Sequence, residues 1–335
     1  MQILELKMEI REIGNTGVKV STLGLGGAPL GGNFVDLDDN QAANVVSEAL
    51  LGGLTYFDTA PWYGFGRSER TVGNMLRGKK VTISTKAGRI LKPGAVPDPE
   101  NYGMINPLPF NPIYDYSYDG IMRAYEDSLQ RLGIDRIDIL LVHDIGTFQH
   151  GEENEKYFNE LKRSGYQAVN ELRVNGDIKA IGLGVNENKI CLDALEIGDW
   201  DVFLLAGRYT LLEQTSLDEL FPKCKLRNTS IICAGPFNSG VLVGREMWNY
   251  ANAPQSVLEK VSALKVIADN HGVSLPAAAL QFPLANPLVR SVIPGPRSGD
   301  EVVEILKWFS ARIPDKFWKD LKSKGLLDER APVPN

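Results

Sequence analysis

The sequence is poor in cysteine, in clustered basic residues and in long apolar runs. Its three cysteines are odd in number and far apart in a long chain, which argues against a disulfide framework and against a zinc site. No apolar run approaches the roughly 20 residues of a membrane helix. Residues 1–11 contain no apolar segment of the kind found in a signal peptide. These absences predict a cytoplasmic protein with reduced thiols and no membrane partner.

The excess of negative charge is small, and the basic residues are dispersed. The chain carries 36 Lys and Arg against 42 Asp and Glu, which gives a net charge of −6. No stripe of Lys or Arg marks a surface for nucleic acid or anionic lipid, so we expect neither as a partner. We expect a small-molecule substrate instead, bound by a monomer or a small homo-oligomer.

Apolar runs rich in Val, Ile and Leu recur along the chain and are typical of parallel strands buried on both faces. They lie near residues 20–25, 54–58, 81–85, 138–143, 178–184, 201–205, 229–233 and 290–293. Amphipathic helical patterns fall near residues 38–51, 117–132, 157–174, 187–198, 213–226, 256–270 and 299–309, with an extra one at 313–327. The alternation predicts an α/β protein, a single (β/α)8 TIM barrel over residues 1–335 with long active-site loops.

A doubly wound open sheet is the alternative fold. It would need a G-x-G-x-x-G turn after its first strand and an acidic residue about 20 positions later. The chain has glycines at 24, 26 and 27, but the residues that follow do not lead into a helix at the required spacing. The glycines indicate instead that the backbone passes close to another group at the barrel mouth, with Gly27 a candidate cofactor contact.

Residues 92–112 interrupt the regular pattern. The segment holds six prolines, two glycines and three asparagines, together with Tyr102 and Phe110. This composition excludes a helix and a central strand. A long loop at this position is either a lid over the substrate or disordered. The apolar side chains need something to pack on, and they favour the lid.

Candidate chemistry lies at the ends of three successive strands. Asp58 and Tyr63 follow the second strand, Lys86 ends the third and His143 ends the fourth. The carboxyl ends of the strands form the catalytic face of a barrel, so we expect these side chains to converge. Each one alone is as well explained as a cap, a loop aromatic, a solvated lysine or a core histidine. Together they favour proton transfer coupled to a redox step at carbon.

The four side chains suggest a division of roles that requires no metal. A tyrosine with its free pKa of about 10 is a weak base at neutral pH, whereas a neighbouring ammonium favours the phenolate. We expect Lys86 to lower the pKa of Tyr63, and Asp58 to hold Lys86 in place. His143 would orient the substrate oxygen. The predicted substrate contacts are Trp62, Tyr63 and His143.

The second half of the chain offers loops for a bound dinucleotide. Residues 235–242 follow the seventh strand and residues 294–298 follow the eighth. Loops at these positions often hold phosphate through backbone N–H groups, and Arg297 adds a positive charge. Tyr209 has a ring that can stack on a flat group, and Asn186 has an amide for a carboxamide. For each of them, an ordinary turn or a structural side chain is the alternative.

Taken in order, these residues resemble the aldo-keto reductase family. FDTAPWYG, STK and LLVHD, at residues 57–64, 84–86 and 140–144, look like its catalytic segments. The resemblance implies that Asp58, Tyr63, Lys86 and His143 form the family's tetrad and that a nicotinamide dinucleotide binds without a Rossmann fold. It also implies stacking of Tyr209 on the nicotinamide. The cofactor contacts predicted in this way are Gly27, Asp58, Asn186, Arg208, Tyr209, Pro236, Asn238, Gly240, Gly295, Arg297 and Glu301.

Further segments, such as PWYGFGRSE and GPFNSGVL, are similar to a branch of that family that oxidises hemiacetals of L-fucose, L-galactose or pyridoxal to lactones. The resemblance implies NAD rather than NADP, because Glu301 stands near the place of an arginine in NADP-dependent members and would repel a 2′-phosphate. Arg297 argues for NADP instead, because its positive charge could pair with a 2′-phosphate. Two alternatives stay open: an NADPH-dependent aldehyde or ketone reductase, and a nucleotide-binding regulatory subunit of the channel β-subunit type.

Overall fold

The computed structural model describes residues 8–334. Residues 1–7, which belong to the stretch expected to lack a signal peptide, and residue 335 lie outside the described part of the chain. The strands in chain order are β1 (Ile10–Glu12), β2 (Lys19–Ser21), β3 (Leu25–Gly26), β4 (Tyr56–Asp58), β5 (Thr82–Ala87), β6 (Arg89–Pro93), β7 (Phe110–Tyr114), β8 (Ile139–His143), β9 (Ala180–Val185), β10 (Val202–Ala206), β11 (Ser230–Ala234), β12 (Met247–Trp248), β13 (Ala251–Asn252) and β14 (Val289–Ile293).

Eight parallel strands form the barrel. Their order around the sheet is β3-β4-β5-β8-β9-β10-β11-β14. A parallel bridge between Leu23 and Val292 joins the last strand to the chain just before the first, and the Gly24 N–H donates to the Val292 carbonyl at 3.0 Å. This return pairing confirms the predicted (β/α)8 barrel and excludes the doubly wound open sheet.

The predicted first strand, near residues 20–25, is two separate elements. β2 pairs antiparallel with β1, and only β3 belongs to the barrel. Val18 and Val20, from this hairpin, are buried against Tyr56, Ile139 and Val202 at the beginnings of barrel strands. The hairpin therefore covers the N-terminal end of the barrel. Its buried valines give the same continuous apolar signal as a barrel strand, which is why the prediction merged the two.

Helices surround the barrel. They are α1 (Asp39–Leu51), α2 (Arg67–Leu76), α3 (Tyr118–Leu132), α4 (Thr147–His150), α5 (Asn154–Glu160), α6 (Tyr166–Asn175), α7 (Asn188–Leu195), α8 (Leu220–Arg227), α9 (Gln255–Asn270), α10 (Leu275–Gln281), α11 (Gly299–Ser310) and α12 (Asp315–Ser323). The pattern at 157–174 spans α5, a π-helical turn and α6. Within residues 8–334, none of these helices combines the length and the apolar character needed to cross a bilayer.

α2 is a helix that the sequence patterns did not reveal. It begins after Gly66, which offers no side-chain cap, and it contains Gly73, an unfavourable residue inside a helix. A Cβ at position 73 would clash with the carbonyl oxygen of Leu132 at the end of α3. The glycine therefore permits two helices to pack closely, and this tertiary contact outweighs its poor helix propensity.

Residues 92–112 form the connecting loop of a β-hairpin and the adjoining ends of its two strands, beside the barrel mouth. β6 pairs antiparallel with β7, and prolines are tolerated because this small sheet consists of edge strands only. The expected absence of a helix and of a central strand agrees with this arrangement, apart from a short 3-10 turn at Pro99–Tyr102. Met104 and Phe110 pack with Phe65 and Trp62, which lie on the loop after β4. The segment thus has the packing partner that its apolar residues require.

Candidate functional site

The fold brings the four predicted catalytic residues to one end of the barrel. β4, β5 and β8 are neighbours in the sheet, so their carboxyl ends lie side by side. Asp58 ends β4, His143 ends β8, Lys86 lies near the end of β5 and Tyr63 is on the loop after β4. The Lys86 ammonium lies 4.7 Å from the centre of the Tyr63 ring, whose centre is 5.8 Å from that of His143.

Within this group, Lys86 and Asp58 form a buried ion pair. Lys86 Nζ donates to Asp58 Oδ2 at 2.6 Å and to the Thr59 carbonyl at 2.8 Å. The other carboxylate oxygen accepts from Ser84 Oγ at 2.7 Å, and Tyr56 OH lies 2.9 Å from the same serine oxygen. Lys86 is 1% exposed and Asp58 is 2% exposed. Burial raises the pKa of Asp58, and Lys86 opposes this effect.

The expectation that Lys86 lowers the pKa of Tyr63 is wrong for this structure. The pKa of Tyr63 is raised well above its ordinary value, first by burial and then by the carboxylates of Asp58 and Asp144, whereas Arg89 opposes the rise. The Lys86 ammonium donates to Asp58 and to a backbone carbonyl, so its charge is already compensated. Tyr63 is therefore a protonated phenol at neutral pH.

A further charged side chain, Arg89, lies in the same mouth and was not predicted. Its Nη1 lies 2.8 Å from His143 Nδ1, and its Nη2 donates to Asp144 Oδ2 at 2.8 Å. The guanidinium carbon lies 4.4 Å from the centre of the Trp62 ring and 5.0 Å from that of Tyr114. Arg89 is 2% exposed, so its charge is compensated mainly by Asp144 and by the two aromatic faces.

His143 is held as a neutral imidazole. Its pKa lies well below the ordinary value because of burial, with Arg89 and Lys86 adding to the effect. The Nε2 atom lies 3.5 Å from Asp144 Oδ2. The hydroxyl of Tyr116 donates to the backbone carbonyl of His143 at 2.8 Å and fixes the end of β8. The geometry leaves a neutral hydrogen-bonding side chain facing Tyr63.

Asn186 bridges the site to a second rim of the mouth. Its amide nitrogen donates to Asp144 Oδ1 at 3.3 Å, and its amide oxygen accepts from Tyr250 OH at 3.1 Å. The Tyr250 ring stacks on Phe34 with ring centres 6.2 Å apart. Two loops far apart in sequence thus meet beside Asn186, where the sequence predicted a contact with a carboxamide.

Tyr209, on the loop after β10, is buried. Its side chain is 1% exposed, and its ring packs against Phe221 at 4.7 Å and Phe282 at 5.2 Å between centres. These two residues belong to α8 and to the 3-10 turn after α10, outside the barrel. The ring is therefore packed in the core of this structure, and stacking of Tyr209 on a nicotinamide stays a prediction.

The loop after β11 has an unusual backbone. Asn238, Ser239 and Gly240 are three successive residues with positive φ, a conformation that turns successive N–H groups toward one side. The Asn238 amide nitrogen donates to the Gly207 carbonyl at 3.1 Å, whereas its amide oxygen is buried without a hydrogen-bond partner. Pro236 begins this turn. The Asn238 and Gly240 N–H groups donate within the turn, to the Gly235 and Phe237 carbonyls, and the unpaired amide oxygen is an acceptor that fits a ribose hydroxyl of a dinucleotide.

The N-terminus of α11 provides a second polar cradle. Ser298 caps the helix, and Arg297 Nε donates to Glu301 Oε1 at 3.0 Å while the Arg297 backbone N–H donates to Oε2 at 2.8 Å. Arg245, which was not predicted, lies 3.8 Å from the same carboxylate. Gly295 lies close to Pro29, where a Cβ would be 3.0 Å from the ring. Two arginines and a helix N-terminus fit an anionic nucleotide group.

Two other predicted cofactor contacts have partners within the protein. Arg208 Nη1 donates to Glu213 Oε1 at 2.8 Å, and its Nη2 bonds Asn249. The Gly27 N–H donates to the Asp58 carbonyl at 2.8 Å, and a Cβ on this glycine would crowd the same oxygen. The close approach expected at Gly27 is therefore an approach of β3 to β4.

The residues missed by sequence reasoning share one property. Arg89, Tyr250 and Arg245 lie on irregular or hairpin segments, where no strand-end rule singles them out. A usable signal existed only for Arg89, which follows Lys86 by three residues and precedes an apolar pair. Among residues 8–334, no group of three or more acidic, histidine or cysteine side chains is arranged to hold a metal ion.

A (β/α)8 barrel with a buried lysine–carboxylate pair, a phenol and an imidazole at its catalytic mouth defines a barrel oxidoreductase. Residues 22–325 match the profile of the Aldo/keto reductase family, and the chain belongs to that family. Aldo-keto reductases use nicotinamide cofactors, which agrees with the two polar cradles after β11 and β14.

Three relatives are similar to this chain over most of its length. A pyridoxal 4-dehydrogenase from Microbacterium luteolum is 44% identical over 95% of this chain and 98% of its own. A D-threo-aldose 1-dehydrogenase from a Pseudomonas species is 35% identical over 93% and 96%. An L-galactose dehydrogenase from Arabidopsis thaliana is 30% identical over 89% and 87%.

Solved structures show the same fold. The holo form of an aldo-keto reductase from Bacillus halodurans superimposes with a TM-score of 0.74 at 24% identity, covering 98% of both chains. A glycerol dehydrogenase from Gluconobacter oxydans gives a TM-score of 0.73 at 21% identity with the same coverage. At this level of identity, the likeness concerns the architecture of the barrel alone.

Proposed function

We propose that the protein oxidises the C–OH group of a cyclic hemiacetal to a lactone, with NAD⁺ as the oxidant. The observation that carries the proposal is the placement of Tyr63 opposite His143 above the Lys86–Asp58 pair. The substrate class rests on the three relatives, which are named for pyridoxal, D-threo-aldose and L-galactose. Such compounds share a cyclic hemiacetal form, so one arrangement of groups suits all of them.

The chain's own residues manage the oxygen and its proton. His143 binds the substrate oxygen, and the phenolate form of Tyr63, a small fraction at neutral pH because its pKa is raised, accepts the hydroxyl proton as this oxygen becomes a carbonyl. Lys86 lies 4.7 Å from the centre of the Tyr63 ring and is held there by Asp58 and the Thr59 carbonyl, which compensate its charge. Accepting the hydride from the same carbon is the chemistry that a bound nicotinamide supplies. One hydride and one proton leave the substrate, so its conversion to a lactone is balanced.

NAD preference is supported by the pairing at α11. Arg297 is engaged by Glu301 through both its side chain and its backbone N–H, and these contacts lower the pKa of Glu301, although burial alone would raise it. A 2′-phosphate would have to displace this carboxylate to reach Arg297, and it would meet the negative charge of Glu301. A ribose hydroxyl carries no such cost and can donate to the carboxylate.

The pocket wall is aromatic. Trp62 borders the catalytic group, and its ring packs edge-on against Tyr102 of the hairpin segment at 6.0 Å between centres. A flat apolar face suits a pyridine ring as well as the apolar face of a pyranose. The hairpin thus supports the proposed role of residues 92–112 in covering the substrate.

A reductase is the second candidate, and one observation favours it. The raised pKa of Tyr63 keeps the phenol protonated at neutral pH, which is the form that donates a proton to a carbonyl oxygen during reduction. The same four residues would then act with NADPH or NADH on an aldehyde or ketone.

The test is a cofactor and substrate matrix with the purified full-length chain. Formation of NADH from NAD⁺, and of NADPH from NADP⁺, is followed on pyridoxal, L-fucose, L-galactose and D-arabinose. Turnover of one of these with NAD⁺ is the expected result, and the product is then identified as a lactone by mass spectrometry. Turnover only of simple aldehydes with NADPH would replace the proposal by the reductase. Tight nucleotide binding without turnover on any substrate would favour a regulatory subunit.

A further inference from the structure

The contact between Arg89 and His143 determines where the histidine proton lies. A guanidinium has hydrogen-bond donors only, so Arg89 Nη1 must donate to His143 Nδ1 across their 2.8 Å separation. Nδ1 then carries the lone pair, and the single proton of the neutral ring is on Nε2. Asp144 Oδ2, 3.5 Å from Nε2, is an acceptor and favours the same tautomer.

The guanidinium itself is held from three sides. Trp62 and Tyr114 cover its faces, and Asp144 accepts from Nη2 at 2.8 Å. Asp144 in turn has a positive φ of 48°, an uncommon backbone conformation for a residue with a side chain. The Nε atom of Arg89 is buried without a partner. The surroundings therefore hold the two Nη atoms of Arg89 toward His143 and Asp144, although its Nε–H is left without a hydrogen-bond acceptor.

We propose that Arg89 is a positioning residue that holds His143 in the Nε2–H tautomer, so that the imidazole presents a hydrogen-bond donor to the substrate oxygen. The proposal deepens the proposed function and rests on it for the identity of that oxygen. In the other tautomer, Nε2 would carry a lone pair and would repel the oxygen of the substrate. The role of Arg89 is therefore exerted through His143.

The charged and titratable groups that face His143 come from several elements. Arg89 approaches from β6, Lys86 from β5 and Tyr63 from the loop after β4, while Asp144 follows His143 in sequence. Two of them are cations, and both lower the pKa of the imidazole. Replacement of Arg89 by a neutral residue removes one cation and leaves Asp144 as a nearby anion, so protonation of His143 becomes easier.

The first experiment is a histidine side-chain ¹H–¹⁵N spectrum of the full-length wild-type protein between pH 6 and 9. The chain has only three histidines, so His150→Asn and His271→Asn variants assign the signals. We expect His143 to show a protonated Nε2 and an unprotonated Nδ1 throughout this range, with no titration. A protonated Nδ1 in the neutral wild-type ring would overturn the proposal, whatever the substrate is.

The second experiment compares Arg89→Met with Arg89→Lys. The Met variant is expected to show mixed tautomers and a His143 titration within the observed pH range, with kcat lower by roughly 10²-fold and a smaller change in KM. The Lys variant keeps a cation but cannot bridge Nδ1 and Asp144 with one planar group, and we expect intermediate values. An unchanged His143 spectrum in a folded Met variant would contradict the proposal.

Arg131→Met is the matched control. Arg131 is another largely buried arginine, and its Nε pairs with the fully buried Glu69, whose other oxygen accepts from Thr85 rather than from a tetrad residue. Its loss should lower the midpoint of thermal unfolding without altering the His143 tautomer or kcat. If loss of any buried arginine disturbed the structure in general, the His143 spectrum and kcat would change in the Arg131 variant as they do in the Arg89 variants. If no hemiacetal is oxidised but the spectra are as expected, the proposed function fails and the assignment of Arg89 stands.

Discussion

The ammonium of Lys86 lies 2.6 Å from Asp58 Oδ2, and both side chains are almost completely removed from solvent. A pair of this kind gives little net stability relative to apolar residues, but removal of one partner leaves an uncompensated buried charge. Lys86 and Asp58 therefore affect both the free energy of unfolding and the activity of the protein, and substitutions of one or both residues can separate these two effects.

Replacement of Lys86 by Met should abolish turnover and lower the free energy of unfolding by roughly 3–5 kcal/mol, because Asp58 stays buried without its cation. The double variant Lys86→Met/Asp58→Asn should recover much of the stability and none of the activity. Urea unfolding and steady-state assays measure both effects. Lys189→Met, which breaks an exposed pair with Asp193, is the control and should change stability by less than about 1 kcal/mol. Equal losses in the single and double variants would contradict the argument.

Replacement of Tyr63 by Phe removes one oxygen and leaves the ring beside Lys86 and His143. We expect kcat to fall by roughly 10²- to 10⁴-fold because the proton acceptor is lost. The dissociation constant for NADH, measured by fluorescence titration, should be nearly unchanged. Turnover at the wild-type rate in this variant would remove Tyr63 from the mechanism, whereas loss of cofactor binding would point to a structural defect instead.

The pH dependence of the reaction follows from the raised pKa of Tyr63. The phenolate fraction grows about tenfold with each pH unit below the pKa, so log kcat/KM for oxidation should rise with pH and reach no plateau below about pH 10. The reverse reduction uses the protonated phenol and should stay level over the same range. Measurement of kcat/KM for oxidation and for reduction between pH 6 and 9 tests the predicted direction of the pH dependence. A kcat/KM for oxidation that falls with rising pH would refute the prediction.

Glu301→Gln should shift cofactor preference toward NADP⁺. The substitution removes the negative charge that engages Arg297 and Arg245, so both arginines become available to a 2′-phosphate. A gain of about tenfold in kcat/KM for NADP⁺ relative to NAD⁺ corresponds to one charge-assisted hydrogen bond. Asp300→Asn, an exposed carboxylate in the same helical turn, is the control. If both variants show the wild-type ratio, Glu301 does not select the cofactor.

The sequence predicted features that follow from the repeated strands of the barrel. It missed features that depend on which segments pack together in the folded chain. Strand ends rich in polar residues placed Asp58, Tyr63, Lys86 and His143 together because parallel strands share one carboxyl edge. The interior position of Tyr209 was not predictable in this way, since its ring could face the mouth or the surrounding helices. Phe221 of α8 and Phe282 of the 3-10 turn after α10 pack against it, and only the folded chain shows this.

The sequence by itself therefore determined the barrel and the four side chains at its mouth, because strand period and strand-end chemistry are local properties. The family followed from the resemblance of its catalytic segments. Only the tertiary structure decided the electrostatics of the four side chains. It raised the pKa of Tyr63 and brought Arg89 from a hairpin to His143. These effects depend on burial and on distances between segments far apart in the chain, and no local pattern encodes them.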